Sequence, residues 1–507
     1  MRRALLLTTL VGLGCSGTFH TGSADGGRTA DGGRPDAQAG LDATVDRDAG
    51  PPPVTVGHVR ELRGAWVASV FNLTWPSRTG LSESASRAEI VTTLDTLREL
   101  RMNAVVVQVR PESDALYRST LEPWSRFLSG TQGTDPGWDP LEVWIDEGHA
   151  RGIEVHAWIN PYRGMASASA TTAENHVTRT LSAHAIPWGG LIVMDPGAGV
   201  VRAHVVSVVR DLVARYDLDG IHFDDYFYPY PGSATGPFPD DGTYNEYLAG
   251  GGTLARDDWR RENVNALVRE VSEAIAEERD DVRFGISPFG IHRPGMPEGI
   301  SGLDAYATLY CDAPRWIEEG WVDYLAPQLY WRSTQTAQAF GPLIEWWSAR
   351  PRDPGRSILA GMTLTNLGMT GWTVDEIRTQ IELMRGQRSS GARGSILYRA
   401  DQLVDDVMGI RALFRDELNP AVAATPPLAS AAGAVIERPH VSVDGTSVAL
   451  EAPSGARVRA YAIYEQPSGD LRELASGPSV TLEPGTYAIS AIDRRGVESA
   501  GVPVTIP

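Results

Sequence analysis

Eight short apolar runs, separated by segments of helical character, limit the folds open to this chain more than any other feature. The runs are continuous rather than alternating, which indicates strands buried on both faces by flanking helices. Eight is also the number of parallel strands that closes a barrel. The sequence therefore predicts an α/β fold, a (β/α)8 TIM-like barrel. Its strands are expected at 64–70, 103–109, 153–159, 220–226, 282–289, 322–331, 357–364 and 394–400. Its helices are expected at 87–101, 141–151, 202–216, 257–278 and 374–385.

The residues before the barrel indicate export. Residues 1–15, MRRALLLTTLVGLGC, have the charge-then-apolar order of a secretory signal and are too short to span a membrane. They resemble a bacterial lipoprotein signal with Cys15 as the lipidated residue, and an ordinary signal peptide cut nearby is the alternative. Residues 16–57 are rich in Gly, Ala, Asp and Pro and predict a disordered linker. We therefore expect an exported protein of the outer membrane or periplasm, which contacts the membrane only through a lipid anchor.

The barrel is expected over residues 58–418, and a small all-β domain follows it. Residues 419–435 are rich in Ala and Pro and predict a linker. Residues 436–507 contain alternating runs such as VRAYAIYE and TYAISAI between Gly, Pro and Asp turns. This pattern predicts an immunoglobulin- or fibronectin-like β-sandwich, which we expect to be a spacer or a weak binding module.

Composition excludes several classes of function. The net charge of −19 argues against nucleic acid as a partner. The chain contains no lysine, which excludes a P-loop lysine, a pyridoxal Schiff base and a lysine nucleophile. If Cys15 carries lipid, Cys311 has no partner for a disulfide and is expected to be a buried thiol.

The acidic residues sort by their position along the strands. Barrel enzymes act at the carboxyl ends of their strands, so acids that precede a strand are expected to be structural, as at Asp219, Asp281 and Asp323. Asp224 and Asp225 instead end the fourth run and are the candidate catalytic residues, with Glu112 and Asp114 as weaker candidates. Polar or aromatic groups expected at the same rim, as substrate-binding residues, are Gln108, Arg110, His156, Trp158, Asn160, His222, Tyr226, Tyr228, Gln328, Tyr330, Trp331 and Asn366.

Paired acids among aromatic rings are typical of a carbohydrate-cleaving site. Carboxyl groups donate or accept the protons that glycoside hydrolysis needs, and rings stack on the apolar faces of sugars. We expect three or four rings to touch sugar, with Trp158, Tyr228 and Trp331 as the first choices.

Strand alternation leaves the arrangement of the two acids open. His222, Asp224 and Tyr226 share one face of the strand, whereas Asp225 points to the other face. The second acid then comes from another strand, with Glu112 or Asp114 nearest, or the strand twists so that both aspartates reach the cleft. The third route is substrate-assisted, with the N-acetyl group of the sugar as the nucleophile.

Long motifs of the barrel resemble the bacterial glycosyl-hydrolase-like 10 family. They include RGAWVASVFNLTWPS, QVRPESDALY, GIEVHAWINPYR, DGIHFDDYFYPYP and GWVDYLAPQLYW. The resemblance implies an exported, often lipid-anchored glycosidase that cleaves peptidoglycan glycan strands, including strands stripped of their peptides. It also implies that Asp224 and Asp225, with the rim residues named above, line the sugar cleft.

Two other functions stay open from sequence. A non-catalytic protein that binds cell-wall glycan suits the same architecture. A metal-dependent polysaccharide deacetylase, with His222, Asp224 and Asp225 as ligands, is less favoured because no HExxH or HxxxH motif lies on a plausible helix. For the favoured glycosidase we expect no cofactor and no metal, a polysaccharide partner and carboxylate acid–base chemistry.

Overall fold

A computed structural model describes residues 52–232, 234 and 236–507. The predicted signal with Cys15, and residues 16–51 of the predicted linker, lie outside the described residues. Eight parallel strands form a closed barrel in chain order, as predicted. They are β1 (Leu62–Val67), β2 (Ala104–Arg110), β3 (Glu154–Ile159), β4 (Gly220–Phe223), β5 (Arg283–Ile286), β6 (Tyr324–Leu325), β7 (Ser357–Thr363) and β8 (Ala392–Tyr398).

Helices cover the outside of the barrel. They are α1 (Glu83–Glu99), α2 (Pro140–Ala150), α3 (Gly199–Arg215), α4 (Arg256–Glu278), α5 (Ala313–Glu318), α6 (Phe340–Ser348) and α7 (Val374–Gly386). After β8, short helical turns at Ala400–Val404 and Leu413–Leu418 complete the layer. Side-chain caps begin several of these helices: Ser82 accepts from the backbone N–H of Ala85, and Asp139 accepts from that of Leu141.

The connection after β3 is the largest elaboration at the carboxyl end of the barrel. It contains a three-stranded antiparallel sheet of Arg163–Met165, Ala185–Trp188 and Leu191–Met194. The backbone N–H of Met194 donates to the carbonyl of Tyr162 at 2.8 Å, which anchors the sheet to the end of β3. The long connection between β4 and α4 carries a further helix, Asp241–Ala249.

The C-terminal part of the chain is all β, as predicted. One antiparallel sheet joins β9 (His440–Asp444), β10 (Ser447–Glu451) and β13 (Ser479–Thr481). The second joins β11 (Val458–Glu465), β12 (Leu471–Ala475), β14 (Gly485–Asp493) and β15 (Val502–Ile506). Apolar residues of both sheets, including Val448 and Ile463, form one buried cluster.

This all-β part packs against the amino ends of the barrel strands. Arg459 of β11 reaches the carboxylate of Glu154 at the start of β3. Residues 419–435, predicted as a linker, contribute buried residues to this contact, among them Ala423 and Leu428. Val54, in the stretch predicted as a disordered linker, pairs its backbone with Gly501. Residues 51–507 accordingly form one compact unit.

None of the described helices combines the length and the apolar character needed to cross a membrane.

Candidate active site

Asp224 is a buried carboxyl group directly after β4, with 3% of its surface exposed. Its Oδ2 accepts hydrogen bonds from the amide of Asn160 and, at 3.2 Å, from the indole N–H of Trp158. Its Oδ1 accepts from the backbone N–H of Tyr226 at 3.2 Å. Burial raises the pKa of Asp224 to about 7, although Arg163 acts to lower it. Because two side-chain donors occupy Oδ2, the proton of the neutral acid is placed on Oδ1.

The orientation of Asn160 is fixed by a chain of hydrogen bonds with one direction. The backbone N–H groups of Ser69 and Val70 donate to Oε1 of Gln108, each at 2.9 Å. The Gln108 amide must then present its N–H to Oδ1 of Asn160, at 2.6 Å. Asn160 in turn presents its own N–H to Asp224. Gln108 and Asn160 therefore position the carboxyl group.

Asp225 is equally buried and lies beside Asp224. The hydroxyl of Tyr230 donates to its Oδ2. Burial raises the pKa of Asp225, and this effect outweighs the hydrogen bonds from Tyr230 and Gln328 that act to lower it. The charge of Asp225 also acts to raise the pKa of Asp224, which indicates that the two carboxyl groups are close enough to interact. The end of β4 therefore brings both aspartates to one site.

Arg163 supplies the cationic group of this site. Its guanidinium lies 4.1 Å above the ring of Tyr226, which is 36% exposed. Its polar contact is a 3.5 Å hydrogen bond to the carbonyl of Pro111, and within the described residues it forms no ion pair. Arg163 acts to lower the pKa of both aspartates and of Tyr226. A half-buried arginine that forms no ion pair within the described residues is thus close enough to the acid pair to lower the pKa of both carboxyl groups.

The acids of the β2 loop do not join the pair. Glu112 is ion-paired with Arg126 and accepts the backbone N–H of Ala166. Asp114 accepts from the Gln132 amide at 3.0 Å, and burial with the nearby Glu112 charge raises its pKa to about 7. Both side chains are fully buried in these contacts.

The Arg110 guanidinium also makes its contacts within the protein. It forms a buried ion pair with Glu122 at 2.5 Å and donates to the backbone carbonyl of Asn160 at 2.6 Å. Arg110 therefore fixes the backbone of Asn160, and the expectation that its guanidinium faces substrate does not fit its position.

His156 and His222 lie in the barrel interior, fully buried, below the aspartates. The indole N–H of Trp66 donates to Nε2 of His222 at 3.2 Å, which places the proton of this ring on Nδ1. That N–H faces the Tyr324 hydroxyl at 3.0 Å, and the hydroxyl faces Nδ1 of His156 at 2.9 Å. Nε2 of His156 then donates to Glu154 at 3.1 Å. The hydrogen bonds of the two histidines therefore all run in one donor-to-acceptor direction through the barrel interior. Neither histidine lies at the rim, where the sequence predicts them.

The aromatic residues divide between the rim and the interior. Trp158 is buried, and its indole N–H donates to Asp224. Tyr228 is 1% exposed and packs against Phe238 and Tyr310. Neither residue therefore presents an open ring at the acid pair. Tyr226, Tyr330 and Trp331 are at least partly exposed. Two predicted polar residues are also half-buried: Gln328, which donates to the carbonyl of Ser287, and Asn366 in the turn after β7.

Three residues near the acids were not among the predicted site residues. Arg163 closes the motif GIEVHAWINPYR, so its place after β3 was available as a signal. Tyr230 lies five residues after Asp225 in the same aromatic run. Tyr398 ends β8 and stacks on Tyr330, with ring centroids 6.0 Å apart. Nothing in its local pattern separates it from a core tyrosine.

The ligand set considered for a deacetylase is not assembled. Both ring nitrogens of His222 are engaged in the interior, so its side chain does not meet the two aspartates. Across residues 52–232, 234 and 236–507, no three His, Cys, Asp or Glu side chains gather as ligands for a metal ion.

Comparison with known proteins gives matches along most of the chain. The model of the family described as Glycosyl hydrolase-like 10 matches residues 61–376. Glycosyl hydrolase YngK of Bacillus subtilis (strain 168) is 34% identical over 86% of this chain and 88% of its own length. Glycosyl hydrolase DigH of Escherichia coli (strain K12) is 34% identical over 70% of this chain and 86% of its own.

Among solved structures, the endo-1,4-β-mannanase from Rhizomucor miehei matches at a TM-score of 0.45 and 8% identity, over 73% of this chain and 99% of its own. The family match and the two sequence relatives carry the assignment. The chain therefore belongs to the glycosyl hydrolase-like 10 family and is a glycosidase.

Proposed function

We propose that this protein hydrolyses the N-acetylated glycan strands of bacterial peptidoglycan, with Asp224 as the general acid. The observation that carries the proposal is the buried carboxyl group of Asp224, whose pKa of about 7 keeps it protonated up to neutral pH. Its place at the carboxyl end of β4 is where barrel enzymes act. The polysaccharide class follows from the family, and the choice of peptidoglycan rests on the motif resemblance described above.

In the proposed reaction Asp224 protonates the leaving oxygen of the glycosidic bond from Oδ1. Asn160 and Trp158 hold Oδ2, so the group does not rotate as it loses its proton, and they stabilise the carboxylate that forms. Asp225 is the second carboxyl group. It acts on the other side of the sugar, either on the anomeric carbon or on the N-acetyl group when that group is the nucleophile. The engagement of Glu112 by Arg126 favours Asp225 over Glu112 for this role.

The experiment is digestion of purified, peptide-free glycan strands, with mass analysis of the products. The native protein should generate new reducing ends, and Asp224→Asn should lower kcat by about 10²–10⁴-fold while the circular dichroism spectrum stays native. Asp146→Asn, on the exposed face of α2, is the matched control and should retain full activity. No new reducing ends with the native protein would reject the substrate, and full activity of Asp224→Asn would reject the general acid.

We further propose that the protein is exported and held at the cell envelope by lipid on Cys15, as the sequence of residues 1–15 suggests. The C-terminal all-β part is proposed to be an immunoglobulin- or fibronectin-like accessory domain. Cys15→Ser should move the protein from the membrane fraction to the soluble fraction. Equal membrane association of both forms would reject the anchor.

A further inference from the structure

A hollow lies beside the loop that follows the two aspartates. It has a volume of about 240 Å³ and is lined by Trp188, Tyr228, Phe238, Arg260 and Tyr310, among others. We call it the Trp188 pocket. It is smaller than the roughly 300–1,000 Å³ that drug-sized ligands occupy, and therefore suits a single ring.

Aromatic rings form the walls of the Trp188 pocket. Phe238 packs edge-to-face against Trp188 and against Tyr228, each with ring centroids 5.5 Å apart. Tyr228 also meets Tyr310 at 4.9 Å. Each ring thus supports its neighbour at its edge. The faces of such rings carry negative charge density that attracts the C–H groups of a pyranose ring.

The walls also hold polar atoms that have no partner. The hydroxyl of Tyr228 and the indole N–H of Trp188 are buried, and neither has a hydrogen-bond partner among the described residues. A buried polar group left unpaired costs about 1–3 kcal/mol. Neither atom is exposed to the pocket, so contact with a sugar ring rests on the partly exposed rings of Trp188 and Tyr310.

Arg260 fixes the far wall. Asp240 accepts from its guanidinium at 2.6 and 2.7 Å, and the same group donates to the Tyr310 hydroxyl at 2.6 Å. The charge of Arg260 is therefore compensated inside the protein, and Tyr310 is held in place. A pocket with this lining selects an uncharged ligand with both apolar and hydroxyl-bearing faces.

The Trp188 pocket lies close to the acid pair along the chain. A smaller crevice lined by Arg163 and Tyr226 shares Tyr228 and Pro229 with the pocket. Tyr228 follows Asp224 by four residues, so the backbone between them spans at most about 14 Å. A glycan chain bound at Asp224 can reach the pocket within a few sugar rings.

We propose that the Trp188 pocket is a saccharide subsite, separate from the residues around Asp224, that binds one pyranose ring of the same glycan chain. The inference rests on the proposed function in one respect, that the ligand is a glycan. It adds a requirement for chain length: oligosaccharides too short to reach the pocket gain nothing from Trp188.

The test measures equilibrium binding, so that it does not depend on turnover. The full chain carrying Asp224→Asn is titrated calorimetrically with β-1,4-linked N-acetylglucosamine oligosaccharides from the disaccharide to the heptasaccharide. Affinity should rise with length until the pocket is filled. Adding Trp188→Ala should remove the final rise, a loss of about three- to tenfold for long chains, and leave short chains unchanged.

Two further variants separate binding from folding. Tyr228→Phe removes a buried hydroxyl that has no partner among the described residues, so both stability and the length profile should stay native. Trp346→Ala, at a half-buried tryptophan stacked on His292, is the matched control and should not change the length profile. An identical length profile with and without Trp188 would overturn the subsite, and a failure to cleave glycan would reject the proposed function but not this binding result.

Discussion

Asp224 at the carboxyl end of the barrel and Glu154 at its amino end are buried to a similar extent, but their pKa values shift in opposite directions. At the carboxyl end, Asp224 is 3% exposed and burial raises its pKa to about 7. At the amino end, Glu154 is 2% exposed. Burial also acts to raise the pKa of Glu154, but Arg459 and Arg283 outweigh it and hold the pKa well below its usual range.

Asp219 repeats the pattern at the amino end. Burial acts to raise its pKa, but a hydrogen bond from His149 and the charges of Arg459 and Arg494 lower it. Depth alone therefore does not make a proton donor. Among these three carboxyl groups, contact with arginine separates those with a lowered pKa from Asp224, which forms no ion pair with an arginine among the described residues.

The largest expected effect is a stability that changes with pH in the variant Asp224→Asn. The folded pKa of about 7 exceeds the ordinary 3.8, so stability is full below about pH 4 and is lost as pH rises through 7. The complete loss corresponds to about 4 kcal/mol, and asparagine avoids it. In urea unfolding, Asp224→Asn should exceed the native protein by up to about 4 kcal/mol near pH 8 and equal it near pH 4.

The matched variant at the other end is Asp219→Asn. Its folded pKa is lowered, so its ionised form contributes stability above the unfolded pKa that is lost as pH falls. Asp219→Asn should therefore be less stable than the native protein near pH 8. The same sign for both variants would contradict the distinction between the two ends.

A second effect should follow from removing a cation at the amino end. Arg459→Met leaves Glu154 and Asp219 buried with one partner fewer, at a cost of about 3 kcal/mol in the free energy of unfolding. Activity per folded molecule should stay native, because Arg459 lies far below the rim. Arg472→Met, which removes an exposed pair with Glu465, is the control and should cost less than about 1 kcal/mol. Equal losses in the two variants would show that the buried cluster is no anchor.

The sequence predicts those parts of the fold that local patterns determine. Continuous apolar runs and helical periodicity are local, and all eight barrel strands and five helices were predicted from them. The observed start of a helix differs from the predicted one where a capping residue fixes it. Helix α1 begins at Glu83, four residues before the predicted start, because Ser82 caps it. In the all-β part, the runs VSVDG, SVALEA, VRAYAIYE, SVTLE and TYAISAI predict five of the seven strands. The other two, β12 (LRELA) and β15 (VPVTI), were not predicted because they are short and only partly apolar.

The site was predictable only to the level of the strand end. Position after β4 predicts Asp224 and Asp225 as candidate catalytic residues, and no local pattern could do more. Glu112 is ion-paired with Arg126, and His156 points into the barrel interior towards Tyr324. The second of these contacts joins residues far apart in the sequence, and neither can be read from a local pattern. Those pairings decide which polar residues face the rim, and they exist only once the barrel has closed.

A third, smaller effect concerns the polar chain that joins the two ends. Tyr324→Phe leaves Nδ1–H of His222 without an acceptor and Nδ1 of His156 without a donor, which should cost about 2 kcal/mol in the free energy of unfolding. Tyr162→Phe is the control, because its buried hydroxyl has no partner among the described residues and its removal should cost little. A neutral Tyr324→Phe would mean that the histidines do not depend on the hydroxyl.

The smallest expected effect would measure how strongly Arg163 acts on the acid pair. Arg163 lowers the pKa of Asp224, so Arg163→Met should raise it by up to about one unit. In the proposed mechanism Asp224 must be protonated to act, so the falling limb of the kcat profile should move to higher pH by the same amount. Arg179→Met, an exposed arginine of the same connection that donates to Thr172, should leave the limb in place. A limb that moves to lower pH in Arg163→Met would mean that the titrating group is not the carboxyl acid at the end of β4.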